Sequence, residues 1–311
     1  MSKTRGHSDR TKYKKMPIED RMQLIETLYV HFPRNEVALK SIHSCHKHAK
    51  RSKESEGILI QGNTGAGKTT LVKLYMKDYP RKHTAERTLV PVLYASVPVP
   101  ATCKSLVTAL LTAIGDPAAV KGSQISQTLR LKRYLDACCV ELLILDEFQH
   151  FQDRDSHRVL KTVSDWLKLL MDETGVPIVL TGLPYSHTIL DADGNEQLQR
   201  RFGVRIELEA FRYNTSKERQ DFRRFLNVID EKLPLAEKSD LADSNIALCI
   251  FEATNGVVAH VMKLVRQATG IAVESCREKL TMEILALAYE QRLAANNPGK
   301  PNPFGAVALF A

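Results

Sequence analysis

The stretch GILIQGNTGAGKTTLVKLY, residues 57–75, decides the fold class of this 311-residue chain. Its apolar beginning predicts a short buried strand, and its amphipathic end predicts a helix. Between them, residues 62–69 match the pattern G-x-x-x-x-G-K-[ST], whose glycines let backbone N–H groups surround a phosphate at the start of a helix. The sequence therefore predicts a phosphate-binding P-loop made of Gly62, Asn63, Thr64, Gly65, Ala66, Gly67, Lys68, Thr69 and Thr70.

Short apolar segments alternate with longer amphipathic ones through the middle of the chain. This alternation predicts βαβ units, and hence a parallel five-stranded sheet covered by helices on both faces. The expected strands are 57–62, 89–97, 140–146, 176–182 and 204–210. The expected helices lie near 68–79, 103–114, 123–137, 156–173 and 187–202.

A second motif, ELLILDEFQH, places two acids at the end of an apolar strand. Lys68 of the P-loop is expected to reach the β and γ phosphates of ATP, and the Thr69 hydroxyl to bind Mg²⁺. Asp146 is the expected carboxylate partner of the metal ion, and Glu147 is placed to orient and deprotonate a water molecule. Together the two motifs predict ATP hydrolysis with ATP and Mg²⁺ as cofactors.

The composition is that of a folded protein with an excess of positive charge. Apolar residues make up 43% and charged residues 26%, and the net charge of +8 suits a polyanionic partner. The sequence has no apolar run long enough for a membrane span and no signal peptide, so we expect a cytoplasmic protein without membrane contact.

Cysteine and histidine spacing gives little support to a disulfide framework or a metal site. The six cysteines include no C-x-x-C pair, which favours reduced and mostly buried thiols. His43, Cys45, His46 and His48 lie close together, but no second ligand pair follows at zinc-finger spacing. A solvated helix face is the preferred interpretation of this segment.

Changes in pattern divide the chain into four parts. Residues 1–16 form a basic, flexible arm, which is either a solvated tail or a segment that lies along phosphates. Residues 17–211 hold the α/β ATPase domain with its N-terminal helices, and residues 212–292 form a small helical lid domain. Residues 293–311, rich in Pro, Gly and Asn, are expected to be a flexible C-terminal tail.

The strand between the P-loop strand and the acidic strand, followed by a helical domain, resembles the arrangement in AAA+ ATPases. The resemblance implies that Thr181 senses the γ-phosphate, although a hydroxyl that only closes a strand end fits equally well. It also implies an arginine finger at Arg200 or Arg201, in EQLQRRFGVRIEL, unless these are ordinary surface arginines. Where the lid usually carries another Arg, this chain has Ala259, with His260 and Lys263 as possible substitutes.

Several segments resemble the TnsC/TniB-type AAA+ ATPases that regulate DNA transposition: YVHFPRNEVALKSI, ILIQGNTGAGKTTL, LLILDEFQH, IVLTGLP, QLQRRF and a closing NPF. The resemblance covers about 17–305. It implies homo-oligomeric rings or filaments around double-stranded DNA, recruitment of a transposase, and a link to target selection through a TniQ-type adaptor. Hydrolysis would then reset the assembly.

The same resemblance implies DNA-backbone contacts from Lys104, Lys121 and Ser123, for which ordinary loop charge is the alternative. Two other functions stay open. One is a nucleotide-gated scaffold or signalling switch that never meets DNA. The other is a helicase loader or origin initiator, although no winged-helix module is evident beyond the lid.

Overall fold

The computed structural model describes residues 10–30, 33–48, 56–152, 157–191, 196–296 and 298–305. It divides into two compact units, each with its own core. One, here called the α/β unit, is Pro33–Glu209. The other, the helical unit, combines Met1–Phe32 with Ala210–Ala311.

The α/β unit is built on a parallel five-stranded sheet, as the sequence predicts. The strand order is β4-β5-β6-β1-β7, and each neighbouring pair is parallel. A separate two-stranded antiparallel ribbon pairs β2 with β3. The strand bounds are β1 Gly57–Gln61, β2 Lys82–His83, β3 Thr88–Leu89, β4 Val92–Ser96, β5 Leu142–Asp146, β6 Ile178–Gly182 and β7 Val204–Glu207.

Helices cover both faces of this sheet, and the alternation along β5 shows the two layers. Leu143 and Leu145 belong to a core cluster with residues of three helices that follow β4 and β5, whereas Leu142 and Ile144 belong to a second cluster on the opposite face. The helices of this unit are α2 Pro33–His48, α3 Lys68–Lys77, α4 Cys103–Ile114, α5 Gln124–Ala137, α6 His157–Thr174, α7 His187–Leu190 and α8 Glu196–Arg201. The predicted α/β class is therefore confirmed.

The helical unit packs five α-helices of the described chain around a core of its own. They are α1 Ile18–Glu26, α9 Ser216–Lys232, α10 Ser244–Thr254, α11 Val258–Glu274 and α12 Met282–Arg292. Its centre includes a group of aromatic rings in which Phe211 stacks on Phe225 at 4.8 Å between centroids. A capping box at Thr215 and Glu218 defines the start of α9.

The position of α1 differs from the predicted division, which placed this helix in the ATPase domain. Ile25 of α1 is 2% exposed and lies in the core of the helical unit. The buried Arg21 donates to the carbonyl oxygen of Pro234 at 2.9 Å and forms an ion pair with Glu278 at 3.1 Å. These contacts assign the first helix to the helical unit.

The described parts of the two predicted flexible segments, residues 10–16, 293–296 and 298–305, contain more structure than the composition predicts; residues 1–9, 297 and 306–311 lie outside the described chain. Arg10–Lys15 forms a 3-10 helix rather than part of a flexible arm, and Arg10 donates to the carbonyl oxygen of Asp230. Near the C-terminus, Phe304 is 7% exposed and its ring lies against Tyr289. The side-chain amide of Asn302 donates to the carbonyl oxygen of Ala286 at 3.0 Å. The NPF segment is therefore anchored to α12.

The helix predicted over 187–202 is interrupted. A 3-10 turn at Pro184–Ser186 leads into α7, which ends at Leu190 with Asp191 as its C-cap residue, and α8 is Glu196–Arg201. Residues 192–195 lie outside the described chain.

In the histidine-rich helix α2, some polar side chains are buried and form hydrogen bonds inside the α/β unit. The buried His46 contacts the Tyr75 hydroxyl at 2.8 Å through Nδ1 and Glu141 at 3.0 Å through Nε2. Cys45 is also buried, and burial raises the pKa of its thiol to about 12. The side chains of this segment are thus partly core, and the predicted fully solvated face is wrong for these two residues.

All six cysteines are free thiols, three of them buried. Among the described residues, no single helix is long and apolar enough to cross a membrane. Ser244–Thr254 and Val258–Glu274 reach that length and composition only as a pair bent by 115°.

The burial of α1 generates a stability prediction. Ile25→Ala should lower the free energy of unfolding by about 2–4 kcal/mol, because it leaves a cavity in the core of the helical unit. The neighbouring Leu24 is 43% exposed, so Leu24→Ala should change stability by less than about 0.5 kcal/mol. Urea denaturation followed by circular dichroism measures both. Equal losses for the two variants would contradict the assignment of α1 to this core.

Candidate nucleotide site

The P-loop lies between the carboxyl end of β1 and the first turn of α3. Gly65 and Gly67 have φ values of +81° and +94°, which L side chains rarely adopt. Gly62 is required for a different reason, since an added Cβ would lie 2.4 Å from the Leu208 carbonyl oxygen. The Ala66 N–H closes the loop by donating to the Asn63 carbonyl at 3.1 Å. The motif therefore forms a tight backbone cradle.

The start of α3 carries the partial positive charge of a helix end. Gly67 is its N-cap residue, no side chain caps it, and its first turn contains no acid. Uncapped N–H groups at a helix N-terminus attract anions. This end of the cradle suits a phosphate.

Lys68 folds back over the loop and is held by it. Its Nζ donates to the carbonyl oxygens of Gly62 at 2.6 Å and Asn63 at 3.2 Å. Burial lowers the pKa of Lys68, and the negative charges of Glu147 and Asp146 offset only part of that effect. A further anion beside this ammonium group would therefore stabilise its charged form.

Asp146 is the most heavily hydrogen-bonded acid of the site. It is 1% exposed and ends β5. Its Oδ2 accepts from the hydroxyls of Thr69 at 2.7 Å and Tyr94 at 3.1 Å. Its Oδ1 accepts from the Thr181 hydroxyl and from the Glu147 N–H at 2.9 Å. Four donors in the described chain thus compensate the buried carboxylate.

The pairing of Thr69 with Asp146 fits a magnesium site. Mg²⁺ prefers oxygen ligands and usually takes one or two from the protein, with phosphate and water oxygens filling the other positions. A hydroxyl and a carboxylate oxygen in direct contact supply such a set. The described residues contain no cluster of three or more His, Cys, Asp or Glu side chains, the group that would form an all-protein cage.

Glu147 follows Asp146 in an unusual backbone conformation. Its φ of +58° and ψ of +39° are left-handed, a region that non-glycine residues rarely occupy. One carboxylate oxygen, Oε2, accepts from the side-chain amide of Gln149. The two adjacent carboxylates thus accept from different donors in the described chain.

Thr181, the expected γ-phosphate sensor, lies inside the site but is not free. It is fully buried at the end of β6, and its hydroxyl is engaged with Asp146. The exposed Thr64 and Thr70 lie at the outer side of the loop and at the start of α3.

The two candidate finger arginines differ in their surroundings. Arg201 forms an ion pair with Asp172 of α6, and its side chain is 21% exposed. Arg200 is exposed at the end of α8 and forms no ion pair with another described residue. The structure thus distinguishes two residues that the sequence left equivalent.

The three predicted DNA-contacting residues lie at the start of α4 and in the connection from α4 to α5. Lys104 is exposed in the first turn of α4 and lines an open groove of about 470 Å³ together with Val120. Lys121 is exposed beside Val120, and Ser123 is the N-cap residue of α5. Arg130 holds this connection in shape by donating to the carbonyl oxygens of Ala118 and Lys121.

Sequence reasoning missed two residues of the site. Tyr94 contacts Asp146 from the adjacent strand, and Gln149 contacts Glu147 from the following turn. Burial and the neighbouring Asp146 raise the pKa of Tyr94, which keeps its hydroxyl a donor. The signal for Gln149 was present in DEFQHF, residues 146–151, because a polar residue between two phenylalanines after an acidic strand needs a buried partner.

The family of this chain follows from its match to a known sequence profile. The sequence profile of the bacterial TniB protein matches residues 21–213. The chain belongs to the TniB family. A search of curated protein sequences gave no significant match.

Solved structures with a similar fold are AAA+ proteins at low sequence identity, so the likeness concerns the fold of this TniB-family chain. Orc1 of Aeropyrum pernix, determined in complex with DNA, is 17% identical with a TM-score of 0.61, covering 87% of this chain and 69% of that one. Cdc6p of Pyrobaculum aerophilum is 15% identical with a TM-score of 0.61, covering 90% and 74%. A RuvB variant of Thermotoga maritima is 16% identical with a TM-score of 0.50, covering 82% and 68%.

The close approach at Gly62 gives a test of the cradle. Gly62→Ala should weaken binding of a fluorescent ATP analogue by at least about tenfold, a loss of roughly 1.4 kcal/mol, because the new methyl group displaces the loop from Leu208. The Leu208 backbone cannot easily move, since its N–H donates to the Gln61 carbonyl at 2.7 Å.

Gly203→Ala is the matched control, because a Cβ there would lie 3.5 Å from the Arg200 carbonyl oxygen, an ordinary contact. This variant should bind the analogue as the unaltered chain does. Equal affinities for all three proteins would show that the loop around Gly62 does not form the binding site.

Proposed function

We propose that this TniB-family chain is an ATPase that assembles on double-stranded DNA and regulates DNA transposition. The observation that carries the proposal is the meeting of Lys68, Thr69, Asp146 and Glu147 at the carboxyl ends of β1 and β5. This arrangement would bring phosphate-binding, metal-binding and water-activating groups together, as ATP hydrolysis requires. Membership of the TniB family supports the transposition context.

The residues have separate roles in the proposed reaction. The P-loop N–H groups and Lys68 bind the phosphates, and Thr69 and Asp146 would hold Mg²⁺. When bound, that ion neutralises phosphate charge. The water oxygen forms a bond to the γ phosphorus while the bond from that phosphorus to the β–γ bridging oxygen breaks. Glu147 takes the water proton, and the products are ADP and phosphate.

A second copy of the chain would complete the site. Developing charge on the transferred phosphoryl group is stabilised by a fixed cation, and Arg keeps its charge in almost any environment. Arg200 is exposed and without an ion pair among the described residues, whereas Arg201 is held by Asp172. We therefore assign the finger to Arg200 rather than Arg201.

Duplex DNA is the proposed partner of the assembled form. The exposed Lys104 in the first turn of α4 lines one groove with Val120, the exposed Lys121 follows Val120 along the chain, and Ser123 adds a hydroxyl at the start of α5. Backbone contacts from such residues are insensitive to base sequence and weaken with salt. The Orc1 structure with the same fold was determined with DNA, which is in keeping with this proposal.

In this scheme the nucleotide acts as an assembly signal. ATP at the seam between copies favours rings or filaments on DNA, and loss of the γ-phosphate weakens them. The assembled form would recruit the transposase, and a TniQ-type adaptor would link it to target selection. We place the protein in the cytoplasm, where DNA and ATP are available.

A helicase loader or origin initiator is the second candidate, because Orc1 and Cdc6p share the fold. Electron microscopy of the purified protein with duplex DNA and a non-hydrolysable ATP analogue tests the main proposal. Continuous rings or filaments on DNA of unrelated sequences would support it. Binding confined to particular sequences would favour an initiator, and no DNA retention at low salt would favour a nucleotide-gated scaffold.

Replacement of the proposed base should separate binding from hydrolysis. Glu147→Gln should retain ATP binding while the hydrolysis rate falls by roughly 10²- to 10³-fold, because the amide cannot accept the water proton. Assemblies on DNA should then persist longer, as measured by phosphate release and by electron microscopy over time. Glu86→Gln, in an exposed turn, is the control. Turnover at the unaltered rate in Glu147→Gln would remove Glu147 from its role.

The assignment of Arg200 gives a paired prediction. Arg200→Ala should lower ATP hydrolysis by roughly 10³-fold without loss of ATP binding, since the cation acts on the transition state. Arg201→Ala removes the ion pair with Asp172, and its effect on the rate should be far smaller.

Mixing two inactive variants tests whether the arginine acts on a neighbouring copy. A Lys68→Ala subunit lacks its own nucleotide site but still presents Arg200, so mixing it with Arg200→Ala subunits should restore part of the activity. A mixture as inactive as its components, or a larger loss in Arg201→Ala, would contradict the assignment.

A further inference from the structure

A short 3-10 turn follows the two acids of the site and is fixed to the ends of two strands. This turn, Phe148–Phe151, buries both of its phenylalanine rings completely. Nδ1 of His150 lies 3.0 Å from the carbonyl oxygen of Val97, just after β4. The backbone of the turn is therefore held firmly beside the carboxyl ends of β4 and β5.

Gln149 extends from this turn towards Glu147 and is 4% exposed. Its Nε2 donates to Oε2 of Glu147, and its Oε1 accepts from the Leu183 N–H at 3.1 Å. An amide side chain has one donor end and one acceptor end. Because Leu183 occupies the acceptor end, the donor end must face Glu147.

The neighbouring backbone leaves just enough room for this bridge. A Cβ added at Gly182 would lie 3.0 Å from Oε1 of Gln149 and 2.2 Å from the Ser186 hydroxyl oxygen. Leu183 follows Thr181 by two residues on the same segment. The end of β6 thus contacts Asp146 through Thr181 and reaches Glu147 through Gln149.

We infer that Gln149 is a positioning residue that orients Glu147 for proton transfer, an inference that rests on the proposed ATP hydrolysis. The left-handed backbone of Glu147 gives its side chain no support from a regular helix or strand. The Gln149 amide holds one carboxylate oxygen, and the other remains to accept the water proton. Through Gln149, the position of the Glu147 carboxylate is fixed relative to the end of β6, the strand that also contains Thr181.

The decisive variant is Gln149→Glu, which keeps the size and shape of the side chain. It retains an acceptor for the Leu183 N–H but loses the donor to Glu147, so two carboxylates face each other. At pH 8, kcat for ATP should fall by at least about tenfold. This is less than the roughly 10²- to 10⁴-fold rate acceleration that a general base contributes. KM for ATP and the affinity for a fluorescent ATP analogue should change less than about twofold.

Three further measurements separate positioning from a structural role. Gln149→Glu places two carboxylates face to face and Gln149→Leu loses both contacts, so both variants should lower the melting temperature, and kcat is therefore compared well below both transitions. Gln220→Glu makes the same chemical change at an exposed position of α9 and should leave kcat unchanged. In a Glu147→Gln background, Gln149→Glu should cause little further loss in single-turnover hydrolysis, because it acts through Glu147.

The outcomes distinguish this inference from the proposed function. If the unaltered chain hydrolyses ATP and Glu147→Gln stops it, but Gln149→Glu keeps the full kcat, the positioning role alone is overturned. The positioning role is also overturned if Gln149→Glu lowers the hydrolysis rate equally in the unaltered chain and in Glu147→Gln. It is overturned likewise if Gln149→Glu raises KM and leaves kcat unchanged. If the unaltered chain does not hydrolyse ATP at any concentration with DNA present, the proposed function and this inference both fail.

Discussion

The buried carboxylate of Asp146 is the interaction on which the site depends. A carboxylate taken out of water carries a large desolvation cost unless donors surround it. Here the donors come from β4, β6 and α3 and from the next residue along the chain. Each donor therefore fixes one element against the end of β5. The parallel sheet brings the carboxyl ends of its strands to the same edge, and hydrogen bonds to the Asp146 carboxylate hold β4, β6 and α3 together there.

The two connections beside Asp146, the P-loop and the turn after β5, contain left-handed backbone conformations. The P-loop needs left-handed glycines so that its N–H groups turn inward, and Glu147 adopts a left-handed conformation without being glycine. Such conformations persist where surrounding contacts determine them. The buried phenylalanines of the following turn and the Gln149 bridge supply those contacts. Asp146 thus lies on a strand, and left-handed backbone conformations position the P-loop before Lys68 and the Glu147 residue after Asp146.

The sequence predicts the parts of the protein that follow from local patterns. Alternating apolar segments predict the sheet, and the spacing of Gly62, Lys68 and Asp146 predicts the cradle and its acid. Arg21 of α1 contacts Pro234, more than 200 positions further along the chain, and Phe304 packs against Tyr289. A local sequence pattern predicts neither contact. Tyr94 was missed for a similar reason, since its partner lies 52 residues away on the next strand. Arg201 differs from Arg200 in its ion pair with Asp172, which lies on another helix and could not be predicted from the local sequence.

In the proposed function, the nucleotide holds copies of the chain together, and the products of its hydrolysis are not used further. The measurement that tests this most directly is the ATP hydrolysis rate per protomer as protein concentration rises, with Mg²⁺ and duplex DNA present. A site completed by a neighbouring copy predicts a rate that increases steeply and then reaches a plateau as assemblies form. A rate per protomer that stays constant from dilute monomer upward would contradict the account.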